Sequence, residues 1–96
     1  MKAYFVLDIT VNDYKSFKKY IDEIPGVIAR HGGKYIVQGV EPTPLEGEWR
    51  YERLVIIEFP GRANAEALLN DPDAQELFKI RHNTTTGRML LADGCT

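Results

Sequence analysis

The sequence has little cysteine, no long hydrophobic run and no excess of positive charge. Its one cysteine, Cys95, cannot form an internal disulfide, and this favours a reducing compartment. Only five apolar residues separate Lys2 from Asp8, too few for the core of a signal peptide, and no segment is long enough for a membrane span. With 14 acidic against 12 basic residues, the formal charge of -2 argues against binding to nucleic acid or an anionic membrane. We therefore expect a cytoplasmic protein.

The remaining composition is that of an ordinary globular chain. Of its 96 residues, 44% are apolar and 27% are charged, which predicts a packed core and a single domain over residues 1–96. A domain of this size buries only roughly 60 to 65% of the surface that its unfolded chain exposes. Contacts with a partner would therefore add to a thin margin of stability.

The order of hydrophobic patterns and turn residues predicts a β-α-β-β-α-β chain. Asp13 caps a first amphipathic helix, which ends at His31-Gly32-Gly33, where glycine can adopt a left-handed conformation. The second helical region is predicted as two short helices, one over 63–69 and one restarting at Asp71-Pro72. Strands are predicted over four further ranges: 3–9, 34–39, 53–59 and 87–93.

Three of these strands contain continuous apolar runs, at 4–7, 54–57 and 89–92. Successive side chains of a strand point to opposite faces, so an unbroken apolar run indicates a sheet that is buried on both faces. The two helical regions can cover only one face. We therefore expect a second copy of the chain to cover the other, in a homodimer with its sheets packed face to face.

Several stretches of the chain also resemble a known family. The stretches are 13–20, 29–35, 45–47, 57–60 and 70–72, with a closing Asp93-Gly94. They resemble the domain of unknown function 1330 family, which is similar to the dimeric α+β barrel superfamily of small cofactor-independent monooxygenases, haem-degrading proteins, lactone isomerases and chlorite dismutase-like enzymes. The resemblance implies a ferredoxin-like fold with a four-stranded antiparallel sheet that pairs as a dimeric α+β barrel. It implies no site residues, because the family has no assigned function.

Polar residues within the apolar strands form the first group of candidates: Asp8, Gln38 and Glu58, with Tyr4 and Tyr35 nearby. A carboxyl group in an apolar cavity has a raised pKa, which suits general acid or base catalysis by Asp8 or Glu58. We take the first and third strands as central, parallel neighbours, which places both carboxylates at the same end of the sheet. Alternatively, each lies at a strand end, in water or paired with Lys2, Lys34 or Arg88.

A second group of candidates lies between the last helix and the last strand. Arg81 supplies a planar fork for a carboxylate, His82 can transfer a proton near neutral pH, and Thr85, within the run 84–86, supplies a hydroxyl. This combination suits a small organic acid. Alternatively, the cations complement the dipole at a solvated helix end.

A third candidate feature is Pro25 within the first helix, because proline removes a backbone hydrogen bond and favours a kink or break near Ile21. A kinked helix can leave a substrate cavity bordered by Tyr20, Ile24 and His31. Alternatively, the kink curves the helix around the core.

We expect no metal site and no bound cofactor. His31 and His82 have no second histidine four residues away, and only analogy with the superfamily favours either as a haem ligand. The prediction is a small dimeric enzyme that acts without a cofactor on a hydrophobic or aromatic acid, by proton transfer or oxygenation. The alternative is a non-catalytic homodimer that binds a small molecule or has a structural role.

Overall fold

The computed structural model describes residues 1–49 and 52–96, and its elements follow the predicted order. In chain order they are β1 (Ala3–Val11), α1 (Tyr14–Arg30), β2 (Lys34–Val40), β3 (Arg53–Phe59), α2 (Arg62–Leu69), a 3-10 turn (Pro72–Ala74), α3 (Gln75–Thr84) and β4 (Thr85–Asp93). The outer ends of β1 and β4 reach two residues further than predicted. Thr10 pairs with Thr86 and Val11 with Thr85, so each extension forms because the other is there to receive its hydrogen bonds.

The four strands lie in the order β2-β3-β1-β4, and every neighbouring pair is antiparallel. The prediction that the first and third strands run parallel is wrong. The crossover through α1 leaves β1 and β2 parallel with a gap between them, and β3 fills that gap after the chain reverses direction, so β3 opposes both.

This register separates the two carboxylates that were predicted to meet. Glu58 lies opposite Tyr4, whereas Asp8 lies opposite Leu54, four residues further along β1. At about 3.3 Å per residue, Asp8 and Glu58 are therefore roughly 13 Å apart along the strand direction. They share one face of the sheet but lie at different ends of it, not at the same end as predicted.

The helices pack on the other face of the sheet. Alternate residues of β1, namely Ala3, Phe5 and Leu7, are buried beneath them, together with Ile57 and Phe59 of β3. The rings of Phe5 and Phe59 meet edge to face, with centroids 5.0 Å apart. The remaining buried core comes from the helical layer: Ile24, Ile28, Ala65, Leu68, Ala74 and Leu77.

We call the uncovered side of the sheet the open face; its apolar residues include Val6, Leu54, Ile56 and Leu90. Val6, Leu54 and Ile56 are half-buried, and Leu90 is 57% exposed, because no helix of the described chain packs over them. The apolar runs of β1, β3 and β4 therefore do place apolar side chains on both faces, as the sequence predicted.

The first helix keeps its predicted ends. An Asp13 carboxylate oxygen accepts a hydrogen bond from the Ser16 backbone N–H at 3.1 Å, and Gly32 takes the left-handed conformation with φ of 78°. Pro25 lies inside the continuous span Tyr14–Arg30, so the helix is not broken there. Ile21, near which the kink or break was expected, is 48% exposed.

Candidate functional site

A cavity of about 160 Å³ lies between the first half of α1 and the sheet, and we call it the helix-side cavity. Its apolar floor comes from residues of β1 and β3 that point toward the helices, including Leu7, Ile9 and Val55. Its polar lining includes Tyr20 and Tyr35. The strand alternation that buries the core therefore also forms this cavity, at the end of the sheet where the helices leave space.

A second cavity, of about 400 Å³, lies where α3 joins β4, and we call it the cationic pocket. Its lining includes the candidates Arg81, His82 and Thr85. Leu7 and Ile9 line both cavities, so the two cavities adjoin along β1. The topology thus brings the second group of candidates next to the space beneath α1.

Arg81 is the most unusual charged residue of this site, because it is only 8% exposed. Its guanidinium donates to the His82 Nε2 at 3.2 Å and lies 3.9 Å from the Met89 sulfur, which is a weak acceptor. Its Cζ lies 5.9 Å from the centre of the Tyr20 ring and 5.4 Å from that of Phe78. Within residues 1–49 and 52–96, no carboxylate pairs with this cation.

The three threonines at the junction of α3 and β4 differ in their hydrogen bonds. Thr85 donates its proton to the Arg81 carbonyl at 2.6 Å, and Thr84 donates to the Ile80 carbonyl at 2.6 Å. Thr86 instead accepts a hydrogen bond from the Asn12 side chain at 2.8 Å. The register of β4 against β1 places the Thr86 side chain on the face of Asp8 and Arg88, opposite to that of Thr85.

Asp8 and Glu58 lie on the open face and line neither cavity, although Arg88, the partner of Asp8, lines the cationic pocket. The Asp8 carboxylate accepts from the backbone N–H of Arg88 at 2.9 Å and from its guanidinium at 2.8 Å. Glu58 pairs with Lys2 at 3.0 Å and lies 3.8 Å from Lys34. These are the cationic partners named in the alternative interpretation, and the structure does not bring the two carboxylates to the candidate ligand space.

His31 also lies outside the cavities. Its Nε2 donates to the Asp71 carboxylate at 2.7 Å, and Arg30 reaches the same carboxylate at 2.9 Å. The hydrogen bond from His31 is the main cause that holds the pKa of Asp71 below its usual range. His31 thus ties the end of α1 to the 3-10 turn, and Ile24, its predicted neighbour in a cavity, belongs to the buried core.

The phenol of Tyr35 is unusual among the groups in the helix-side cavity. Burial raises the pKa of Tyr35, and the nearby phenol of Tyr20 raises it further. Tyr35 therefore keeps its proton at neutral pH, and it can donate or accept a hydrogen bond but cannot act there as a base.

The described ranges contain no group of three His, Cys, Asp or Glu side chains that could hold a metal ion. In the same ranges, no helix has both the length and the apolar character needed to cross a bilayer. The two histidines are engaged separately, His31 with Asp71 and His82 with Arg81.

The sequence matches the family described as Domain of unknown function (DUF1330) over residues 2–95. The chain belongs to this DUF1330 family. The family description assigns no reaction, in agreement with the absence of a recognisable catalytic motif in the sequence. No curated protein sequence matches the chain.

Solved structures with the same ferredoxin-like fold come from several organisms. A protein of unknown function from Rhodopseudomonas palustris has a TM-score of 0.81 at 18% identity, over 99% of this chain and 83% of its own. SnoaB, a cofactor-independent oxygenase from Streptomyces nogalater, has a TM-score of 0.67 at 16% identity, over 99% and 94%. A dimeric protein of unknown function from Bacteroides fragilis has a TM-score of 0.58 at 14% identity, over 97% and 96%.

Proposed function

We propose that this DUF1330 protein binds a small aromatic or hydrophobic carboxylic acid between its helices and its sheet, with the carboxylate at Arg81. The buried guanidinium of Arg81, which no described carboxylate neutralises, carries this proposal. Leaving an ion buried and unpaired costs several kcal/mol, and a bound carboxylate would relieve that cost through two parallel hydrogen bonds.

The space next to Arg81 suits one aromatic ring. The helix-side cavity measures about 160 Å³, close to the roughly 150 Å³ of an apolar cavity that holds benzene. Tyr20 lines this cavity, and its ring lies beside the Arg81 guanidinium, so the ring and the carboxylate of one small ligand can occupy neighbouring positions.

For the reaction, we propose proton transfer by His82 without a bound cofactor. His82 is the imidazole that lines the cationic pocket, and an imidazole can accept and return a proton near neutral pH. A carboxylate that binds Arg81 would draw the guanidinium away from the His82 Nε2 and free that nitrogen to act as a base. SnoaB, which has the same fold, is a cofactor-independent oxygenase, and this supports the proposal of a reaction without a cofactor.

Calorimetric titration of the wild-type protein with benzoate, and with benzyl alcohol as its uncharged match, tests the binding proposal. We expect benzoate to bind at least tenfold more tightly. Arg81→Met should abolish that preference, and Arg81→Lys should weaken it, because lysine keeps the charge but lacks the fork. Arg62→Met removes an exposed cation of α2 and should change nothing. Equal binding of the two probes by the wild type would contradict the proposal, as would unchanged benzoate binding by folded Arg81→Met.

Exchange of carbon-bound protons for deuterium tests the reaction. Phenylpyruvate has acidic protons next to its carbonyl, and we expect the protein to accelerate their exchange in deuterium oxide above the spontaneous rate. His82→Gln should lose this acceleration and still bind benzoate. Binding of phenylpyruvate without accelerated exchange would instead favour the non-catalytic alternative, a protein that only holds its ligand.

We further propose that the chain is a single-domain cytoplasmic protein that assembles as a homodimer through the open face. The uncovered apolar side chains of β1, β3 and β4 support this, since a second copy would bury them by two-fold symmetry. The protein of the same fold from Bacteroides fragilis is dimeric. Sedimentation at micromolar concentration should give twice the mass of the chain, and a monomer would contradict this proposal.

A further inference from the structure

Two tyrosines from different elements line the helix-side cavity. Tyr20 lies on α1, where its ring stacks on that of Phe17 with centroids 5.2 Å apart. Tyr35 lies on β2 opposite Ile57, on the side of the sheet that faces the helices. Both line the cavity proposed for the aromatic ring of the ligand. We call these two residues the phenol pair.

Neither hydroxyl of the phenol pair has a hydrogen-bond partner among the described residues. Tyr14, the third tyrosine that lines this cavity, differs, because its hydroxyl accepts a hydrogen bond from Arg53. Every fully buried side-chain nitrogen or oxygen in the described ranges has a partner. The unpaired hydroxyls of Tyr20 and Tyr35 are therefore open to the space around them and accessible to water or a ligand.

An unsubstituted hydrocarbon ring would fit this lining poorly. If it displaced water from the phenol pair, both hydroxyls would lose their hydrogen bonds, and an unsatisfied polar group in a closed site is costly. Gln38 also lines the cavity, and its side-chain amide has no partner within the described ranges. The wall of the cavity thus offers donors and acceptors that water or a polar substituent can satisfy and that a hydrocarbon ring cannot.

We infer that the ligand is an aromatic acid with a hydroxyl or carbonyl oxygen on its ring, and that the phenol pair selects this oxygen. A neutral phenol can donate to a carbonyl and accept from a hydroxyl, so both substituents suit it. This inference rests on the proposed function, because Arg81 must hold the carboxylate for the ring to lie in the helix-side cavity. It adds the class of ligand to that proposal.

Calorimetric titrations with 3-hydroxybenzoate and 4-hydroxybenzoate, alongside benzoate, test the inference. We expect at least one hydroxybenzoate to bind the wild type about tenfold more tightly than benzoate, as one well-made hydrogen bond allows. In the Tyr20→Phe/Tyr35→Phe double variant, this advantage should disappear while benzoate binds as before. Tyr4→Phe removes a hydroxyl on the open face and should preserve the advantage.

The outcomes separate this inference from the proposed function. If benzoate binds in an Arg81-dependent manner but neither hydroxybenzoate binds more tightly, the phenol pair does not select an oxygen and only the inference fails. An advantage that persists in the folded double variant also overturns it. If none of the three acids binds, both the inference and the proposed function fail. Phenylalanine keeps the ring, so we expect the variants to fold, and the far-ultraviolet circular dichroism spectrum with its thermal unfolding transition can verify this.

Discussion

The two faces of the sheet use charge and apolar surface in opposite ways. On the open face, Asp8 and Glu58 are both paired with cations, yet apolar side chains such as Leu90 remain exposed. On the helix face the apolar side chains are buried, yet the cation Arg81 has no carboxylate partner within residues 1–49 and 52–96. The first face therefore lacks an apolar cover, and the second lacks an anion.

Under the proposed function, this difference separates residues expected to support assembly from residues expected to support ligand binding. Alternate positions of one strand serve the two roles, since Leu7 borders both cavities while its neighbour Asp8 faces away from the helices. A carboxylate within an apolar strand is therefore insufficient evidence for catalysis. The register of the strand decides on which face of the sheet the carboxylate lies.

The largest expected effect compares adjacent residues of β3. Ile57 is only 4% exposed beneath the helices, so we expect Ile57→Ala to lower the free energy of unfolding by about 2 to 5 kcal/mol. Ile56 lies on the open face, so Ile56→Ala should lower the free energy of unfolding of a monomer less than Ile57→Ala does. Chemical denaturation at several protein concentrations measures both. Because the proposed dimer would bury Ile56, the loss of unfolding free energy caused by Ile56→Ala should grow with protein concentration, whereas the loss caused by Ile57→Ala should not. The same concentration dependence for both variants would contradict the proposed difference between the faces.

A charge on the open face should have the next largest effect. Ile56→Asp would bury an unpaired carboxylate in the proposed dimer, which costs several kcal/mol, so we expect at least about 100-fold weaker association. Ala63→Asp is the matched control, because Ala63 is exposed in the first turn of α2, where an acid is favourable. Sedimentation across a dilution series measures both variants. Equal dissociation constants would exclude the open face as the interface.

The third prediction concerns a charge cluster that lies on neither face of the sheet. It consists of Arg30 and His31 at the end of α1 and Asp71 before the 3-10 turn. The pKa of Asp71 is lowered, so its ionised form stabilises the fold above its unfolded pKa near 3.9, and that contribution disappears as the pH falls through the folded value. Asp71→Asn should therefore lower the melting temperature at pH 7 and have little effect near pH 2. Asp73→Asn, at the more exposed neighbour, is the control. A constant difference at all pH values would contradict this assignment.

The smallest expected effect is that of Asp8→Asn on ligand binding. Since Asp8 pairs with Arg88 on the open face, its neutralisation should leave the affinity for benzoate within about twofold of wild type. The same calorimetric titration that tests Arg81→Met measures it. A large loss of affinity would show that the open face takes part in binding.

Local patterns predicted most of the fold. The cap at Asp13, the left-handed Gly32 and the restart at Asp71-Pro72 each depend on neighbouring residues, and the structure has all three. The apolar runs also predicted correctly that both faces of the sheet are apolar. The direction of β3 relative to β1 was predicted wrongly, because it depends on how the chain crosses the sheet and has no local signal.

The candidate site was harder to predict, because it depends on long-range register. The grouping of Arg81 and His82 followed from adjacency in the chain. The pairing of Asp8 with Arg88 spans 80 positions, so sequence could name it only as an alternative. The hydrogen bond from Asn12 to Thr86 likewise spans 74 positions, and no pattern in the threonine run predicts it.

Gly87, which lines the cationic pocket, limits how this site can be varied by design. A Cβ atom built there would lie 2.0 Å from the backbone oxygen of Asp8, and backbone cannot move aside as a flexible side chain can. A library that aims to change ligand preference should therefore hold position 87 constant. Diversity can be placed instead at Thr86 and Met89, which line the same pocket and are both solvent-exposed.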